Sequence, residues 1–173
     1  RAYNNRGIYL ANLGKHKEAL EDFANAIALN PSNARSYYNR AQLHKKMKQP
    51  EEAMRDYSRA IDLNPVFVEA YNNRGNLYKV MGKLENALRD YNKAIESDPN
   101  SAIAYYNRAK LLADIGKSEE ALRDYNKAIE LEPDYTDAYN NRANLLLQMG
   151  KSEEALRDYN KAIELKPDYA GAY

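Results

Sequence analysis

Five prolines, Pro31, Pro65, Pro99, Pro133 and Pro167, stand thirty-four residues apart, and only Pro50 falls off that grid. A fixed period of this length means that one small supersecondary unit is copied along the chain. A single copy cannot bury its own apolar face, so the fold must be a stacked array. Other residues fall into columns at the same period. One column is Ala19, Ala53, Ala87, Ala121 and Ala155; another is Phe23, Tyr57, Tyr91, Tyr125 and Tyr159; a third is Ala26, Ala60, Ala94, Ala128 and Ala162.

Each unit reads as two helices. In the fourth, Ala121, Leu122, Tyr125, Ala128 and Ile129 form one apolar stripe at helical spacing, and Tyr105, Ala109 and Leu112 do the same one helix earlier. Gly14, Gly82, Gly116 or Gly150 lies in the intervening turn, where a left-handed residue ends a helix. The second unit has Lys48 at that place, followed by Pro50, and its turn is expected to differ. After four of the five periodic prolines, Ser32, Asn100, Asp134 and Asp168 are expected to cap the next helix with their side-chain oxygens.

The sequence resembles the tetratricopeptide repeat family. The likeness is carried by the columns above, by Tyr3, Tyr37, Tyr71, Tyr105 and Tyr139, and by the small residues Gly7, Ala41, Gly75, Ala109 and Ala143. It implies an all-α fold, a right-handed α-α superhelix of antiparallel helix pairs whose first helices line a concave groove. The expected organisation is a single domain over residues 1–173, with repeats at 1–33, 34–67, 68–101, 102–135 and 136–169 and the start of a sixth at 170–173.

Two polar columns are as regular as the packing ones. Arg6, Arg40, Arg74, Arg108 and Arg142 occupy the middle of each first helix, where the family usually has an aliphatic residue. Sixteen residues after each comes Asp22, Asp56, Asp90, Asp124 or Asp158, level with it across an antiparallel hairpin. A partly buried charge needs a partner, so structural ion pairs are the expected role; an arginine ladder for an anionic ligand is the alternative.

Just before the arginines stand Asn5, Asn39, Asn73, Asn107 and Asn141, a column that in the family projects into the groove. A carboxamide both donates and accepts, and so matches the backbone of an extended peptide. The arrangement is similar to the asparagine ladder of O-linked N-acetylglucosamine transferases. The competing reading is that these asparagines bond neighbouring side chains and hold repeat spacing. One residue earlier the column alternates as Asn4, Tyr38, Asn72, Tyr106 and Asn140, with Tyr38 and Tyr106 expected as exposed groove anchors. Asn72, Asn76, Lys79 and Lys110 complete the candidate peptide-binding set. Arg1, Arg35, Lys45 and Lys46 face Glu69, Asp114 and Asp137 in the same implied groove, a weakly basic balance that favours an acidic segment. The cations of the family's carboxylate clamp are missing, so no such activity is expected.

Composition closes off other classes. Twenty-six basic and twenty-five acidic residues give a net charge of +1, with no global attraction to nucleic acid or to an anionic membrane. There is no cysteine, and no apolar run of membrane-spanning length, so a soluble chain is expected, its compartment left open. His16 and His44 have no second ligand or nucleophile at useful spacing, so neither an enzyme nor a metal or cofactor site is expected. The opening "RAYNNRG" without Met suggests a processed chain or part of a longer one, and "GAY" at 171–173 matches "RAY" at 1–3. Apolar surface left at Leu156, Tyr159 and Ile163 and beside Tyr3 gives a second functional expectation, weak head-to-tail self-association.

Overall fold

A computed structural model describes residues 1–167. These contain ten α-helices and no strand: α1 Ala2–Asn12, α2 His16–Leu29, α3 Ala34–Lys46, α4 Pro50–Leu63, α5 Val68–Val80, α6 Leu84–Ser97, α7 Ala102–Asp114, α8 Ser118–Leu131, α9 Thr136–Gln148 and α10 Ser152–Leu165. The chain divides into two compact units, Arg1–Gly82 and Lys83–Tyr173. In the first, α1 pairs with α2 and α3 with α4, while α2 packs on α3 and α4 on α5. In the second, α7 pairs with α8 and α9 with α10, while α6 packs on α7 and α8 on α9.

Small residues stand where helices approach and rings fill the space opposite. Ala19, Ala41, Ala53, Ala109, Ala121, Ala143 and Ala155 are fully buried, and the Phe23, Tyr57 and Tyr125 rings nearly so. At Gly7 the approach is tight, since a Cβ there would lie 2.9 Å from the Phe23 ring. Phe23 packs with Ala19 and Leu43 in the first unit. Tyr125 lies in the second unit's cluster with Tyr106, Leu112 and Leu145.

Two local expectations are corrected. The α3–α4 turn does not differ from the others. Lys48 adopts φ 57°, in the left-handed region used by Gly14 at φ 76°. The hydrogen bonds match as well: Lys48 N donates to Lys45 O at 3.0 Å and Gln49 N to His44 O at 2.9 Å, as Gly14 N does to Ala11 O and Lys15 N to Leu10 O. The backbone bonding of the helix end imposes the conformation, and Lys48 accepts its strain. Pro50 fits because it is the first residue of α4, where no intrahelical N–H is required.

The capping expectation is also displaced. Ser32, Asn100 and Asp134 precede the capping positions, which are Asn33, Ser101 and Tyr135, and of these only the Asn33 side chain accepts a cap bond, from Arg35 N at 3.1 Å. The cause is a turn around the proline, in which Asn33 N reaches Asn30 O and Ser101 N reaches Asp98 O. The side chains of Asn30 and Asp98 accept from Ser32 N and Asn100 N, so the residue after the proline is consumed in the turn. Asp168 and residues 170–173 lie outside the described residues.

Candidate functional site

The arginine column is engaged within the hairpins. Arg6 Nε and Nη2 donate to the two Asp22 oxygens at 2.7 Å each. Arg40 makes the same fork to Asp56 at 2.7 and 2.8 Å, Arg108 to Asp124 at 2.6 and 2.8 Å, and Arg142 to Asp158 at 2.6 and 2.7 Å. All four carboxylates are buried. Each guanidinium also lies over the tyrosine three residues earlier, Tyr3, Tyr37, Tyr105 or Tyr139. Arg74 and Asp90 fall in different units.

A third bond reaches the preceding hairpin. Arg108 Nη1 donates to Asn92 Oδ1 at 2.8 Å, Arg142 Nη1 to Asn126 Oδ1 at 2.7 Å and Arg74 Nη1 to Ser58 Oγ at 3.0 Å. For Arg40 the corresponding residue is Ala24, which has no side-chain acceptor. The sequence reading missed this link, although its signal is the column Ser58, Asn92 and Asn126, sixteen residues before each arginine. Electrostatically, hydrogen bonding to Arg6 holds the Asp22 carboxyl below its ordinary range, against the opposing effect of desolvation. Bonding to the aspartates raises Arg6, Arg40 and Arg108.

The asparagine column joins successive first helices. Asn39 Nδ2 donates to Asn4 Oδ1 at 3.0 Å, Asn73 Nδ2 to Tyr38 OH at 3.1 Å, and Asn141 Nδ2 to Tyr106 OH at 2.8 Å. Asn73 Nδ2 also donates to Glu69 O, so both its protons are used, and its oxygen accepts from Lys45 Nζ at 3.4 Å. Asn39 and Asn141 each keep one N–H and the carboxamide oxygen. Asn5 is exposed, whereas Asn107 is buried.

The alternating column points inward. Tyr106 is only 8% exposed, which corrects the expectation of an exposed anchor. Its ring lies 4.8 Å from that of Tyr135 and 6.2 Å from that of Tyr125, and burial pushes its hydroxyl up to about 12. Tyr38, half-buried, sits likewise 4.9 Å from Phe67 and 5.9 Å from Tyr57. The covering rings come from the N-cap residues of the following first helices. Asn72 is 4% exposed, and neither of its amide atoms has a partner among the described residues, so this candidate is also out of a ligand's reach.

Of the remaining candidates, Asn76 and Lys79 are half-buried on α5, and Lys110 Nζ lies 5.3 Å over the Tyr106 ring. Arg35 pairs with Glu69 at 3.3 Å. Lys46 Nζ donates to Ala11 O at 3.3 Å across the rim of a cavity of about 250 Å³ between α1 and α3. Ile8, Phe23 and Leu43 supply its apolar lining, with Asn39 and Gln42 beside them. His44 shares a hydrogen bond with Gln49 at 2.8 Å through Nδ1. Among the described residues there is no cluster of metal-ligating side chains, and no helix is long and apolar enough to cross a membrane.

Tetratricopeptide repeat models match residues 1–33, 34–67, 68–101 and 136–169, with further repeat matches at 90–123 and 109–150. The chain belongs to the tetratricopeptide repeat family. Its fold class is the all-α helical solenoid, as in several solved structures. MamA is 21% identical, with a TM-score of 0.82 over 95% of this chain and 96% of that one. YrrB is 24% identical, with a TM-score of 0.76 over 98% and 88%. TTC0263, a thermophilic repeat protein of Thermus thermophilus, is 25% identical, with a TM-score of 0.77 over 99% and 93%. No curated protein matches. Repeats of this family serve generally as non-catalytic scaffolds that bind peptides or proteins.

Proposed function

We propose that this chain is a protein-interaction scaffold whose first helices bind an extended, acidic peptide segment. The observation that carries this reading is the cavity between α1 and α3, which offers an apolar lining beside Asn39 and Lys46. The asparagines act doubly. One N–H of Asn39 or Asn141 holds the neighbouring first helix, and the remaining N–H and oxygen meet the peptide backbone, each bond contributing about 0.5–1.5 kcal/mol net. Asn73, with both protons used, sets spacing. YrrB, a relative in fold, is described as having an unusual peptide-binding site, which supports peptide recognition on this scaffold. A peptide-array screen with the wild type, Asn39→Ala and Lys46→Glu tests the reading. Acidic peptides should be captured and both variants should weaken them; binding unchanged in both variants removes the first helices from the role.

A second reading is self-association, supported by Leu156 on α10, which is 60% exposed although Leu122 in the same column is partly covered against Ala143, Leu146 and Ala155. Sedimentation from micromolar to millimolar concentration, with Leu156→Glu alongside, tests it. A monomer throughout overturns this second reading.

A further inference from the structure

The second unit carries a surface feature that recurs in register on its second helices. A cleft of about 310 Å³ is lined by Leu88 from α6, Arg108 and Leu112 from α7, and Arg123 from α8. One repeat later a cleft of about 260 Å³ is lined by Leu122, Arg142, Leu146 and Arg157. Each has an apolar wall of two leucines and two guanidiniums of different kinds.

The inner guanidiniums are fixed and not exhausted. Arginine has five N–H donors, and Arg108 uses three of them, two on Asp124 and one on Asn92. Two remain, and Arg142, bonded in the same way to Asp158 and Asn126, keeps two as well. The outer guanidiniums, Arg123 and Arg157, are exposed and have no hydrogen-bond or ion-pair partner among the described residues. In the first unit the same column position, Arg55, is tied to Glu52 at 3.3 Å. Negative charge on the first cleft's rim is already answered, because Glu120 pairs with Lys117 at 3.2 Å.

We propose that these two clefts form a second interaction surface, distinct from the first-helix face, that takes glutamate side chains of an acidic segment of a partner protein, one per cleft. The carboxylate meets the spare N–H groups of the inner arginine together with the free outer one, a charge-assisted and multidentate arrangement. The methylenes lie along the leucines, which favours glutamate over a bare phosphate. Glu154, which has no ion-pair partner among the described residues, lies on the second rim and opposes the ligand there.

The test uses hexaglutamate as probe, hexaglutamine as its uncharged counterpart, and the full chain carrying Lys45→Ala and Lys46→Ala, so that failure of the first-helix reading does not affect the result. Arginine side-chain NMR signals of Arg123 and Arg157 should shift with hexaglutamate and not with hexaglutamine. Arg123→Gln with Arg157→Gln should weaken binding at least tenfold. Lys17→Gln with Lys83→Gln, which removes the same charge from exposed positions that line neither cleft, should change it less than twofold. Glu154→Gln should tighten it. Equal losses in the two double variants, no shift at either arginine, or retention of a 20-base-pair DNA duplex in place of the peptide overturns the proposal. Circular dichroism of the arginine variants separates lost binding from lost fold.

Discussion

Hairpin α3–α4 in the first unit and hairpins α7–α8 and α9–α10 in the second reach the same local geometry from different residues. The former has Lys48 where the latter have Gly116 and Gly150, and His44 where they have Leu112 and Leu146. Arg40 finds Ala24 where Arg108 and Arg142 find Asn92 and Asn126. What survives all three changes is the bidentate Arg–Asp fork and the left-handed turn. The difference separates two jobs of one arginine: bonding inside the hairpin, which Arg6, Arg40, Arg108 and Arg142 all perform, and bonding to the preceding hairpin, which depends on a partner residue that can be lost.

The largest effect should come from breaking the shared part. Arg108→Ala leaves Asp124 buried without its partner and should cost about 2–4 kcal/mol in urea unfolding, near the lower end for a buried pair because the Arg108 side chain is 23% exposed. Arg6→Ala should cost clearly less, because the Arg6 side chain is 64% exposed and water can replace much of its role. Equal losses would mean that the fork's stability does not depend on its surroundings.

The link between hairpins comes next. Asn92→Ala should cost about 1 kcal/mol, and Ala24→Asn should return part of that amount to the first unit by giving Arg40 the acceptor it lacks. Thermal unfolding of both variants, with Arg40→Lys as the background that cannot form the link, checks the sign.

What could be read from the sequence, and what could not, follows the same division. Column membership identified the helix pairs and the all-α solenoid, because periodicity is a property of positions. How far each side chain is already committed is a property of neighbours many residues away. Tyr106 is buried because Tyr135 covers it, and Asn73 has no proton left because Glu69 O and Tyr38 OH take both. The Lys48 turn departs from expectation for a related reason. A glycine column invites the inference that glycine is required, whereas the two backbone bonds that close the helix end set the conformation and the residue only sets its cost. Accordingly Lys48→Gly should stabilise by about 0.5 kcal/mol, the relief of left-handed strain partly offset by the greater freedom of glycine when unfolded. Gly150→Ala should lose about 1 kcal/mol by the same argument, and chemical denaturation resolves both.

The smallest effect concerns pH and compares the first hairpin with its own mutant. Asp22 has its folded pKa below the ordinary value, chiefly through the hydrogen bonds from Arg6, with desolvation acting in the opposite direction. A carboxyl lowered on folding is deprotonated more readily in the folded state, so its contribution is complete above the unfolded value of about 4 and fades as pH falls through the folded one. Stability should therefore be insensitive to this group from neutrality down to about pH 5, and decline below about pH 4. The decline should be modest, because Arg6 stands largely in solvent on the far side of the bond. Asp22→Asn removes the titration while keeping the shape. Its unfolding free energy plotted against pH should be flatter than the wild type's below about pH 4, and amide exchange in α1 and α2 should report the difference locally. Parallel curves for the two proteins would mean that the proton affinity of Asp22 does not change on folding, and the Arg6 fork would then contribute geometry without pH-dependent stability.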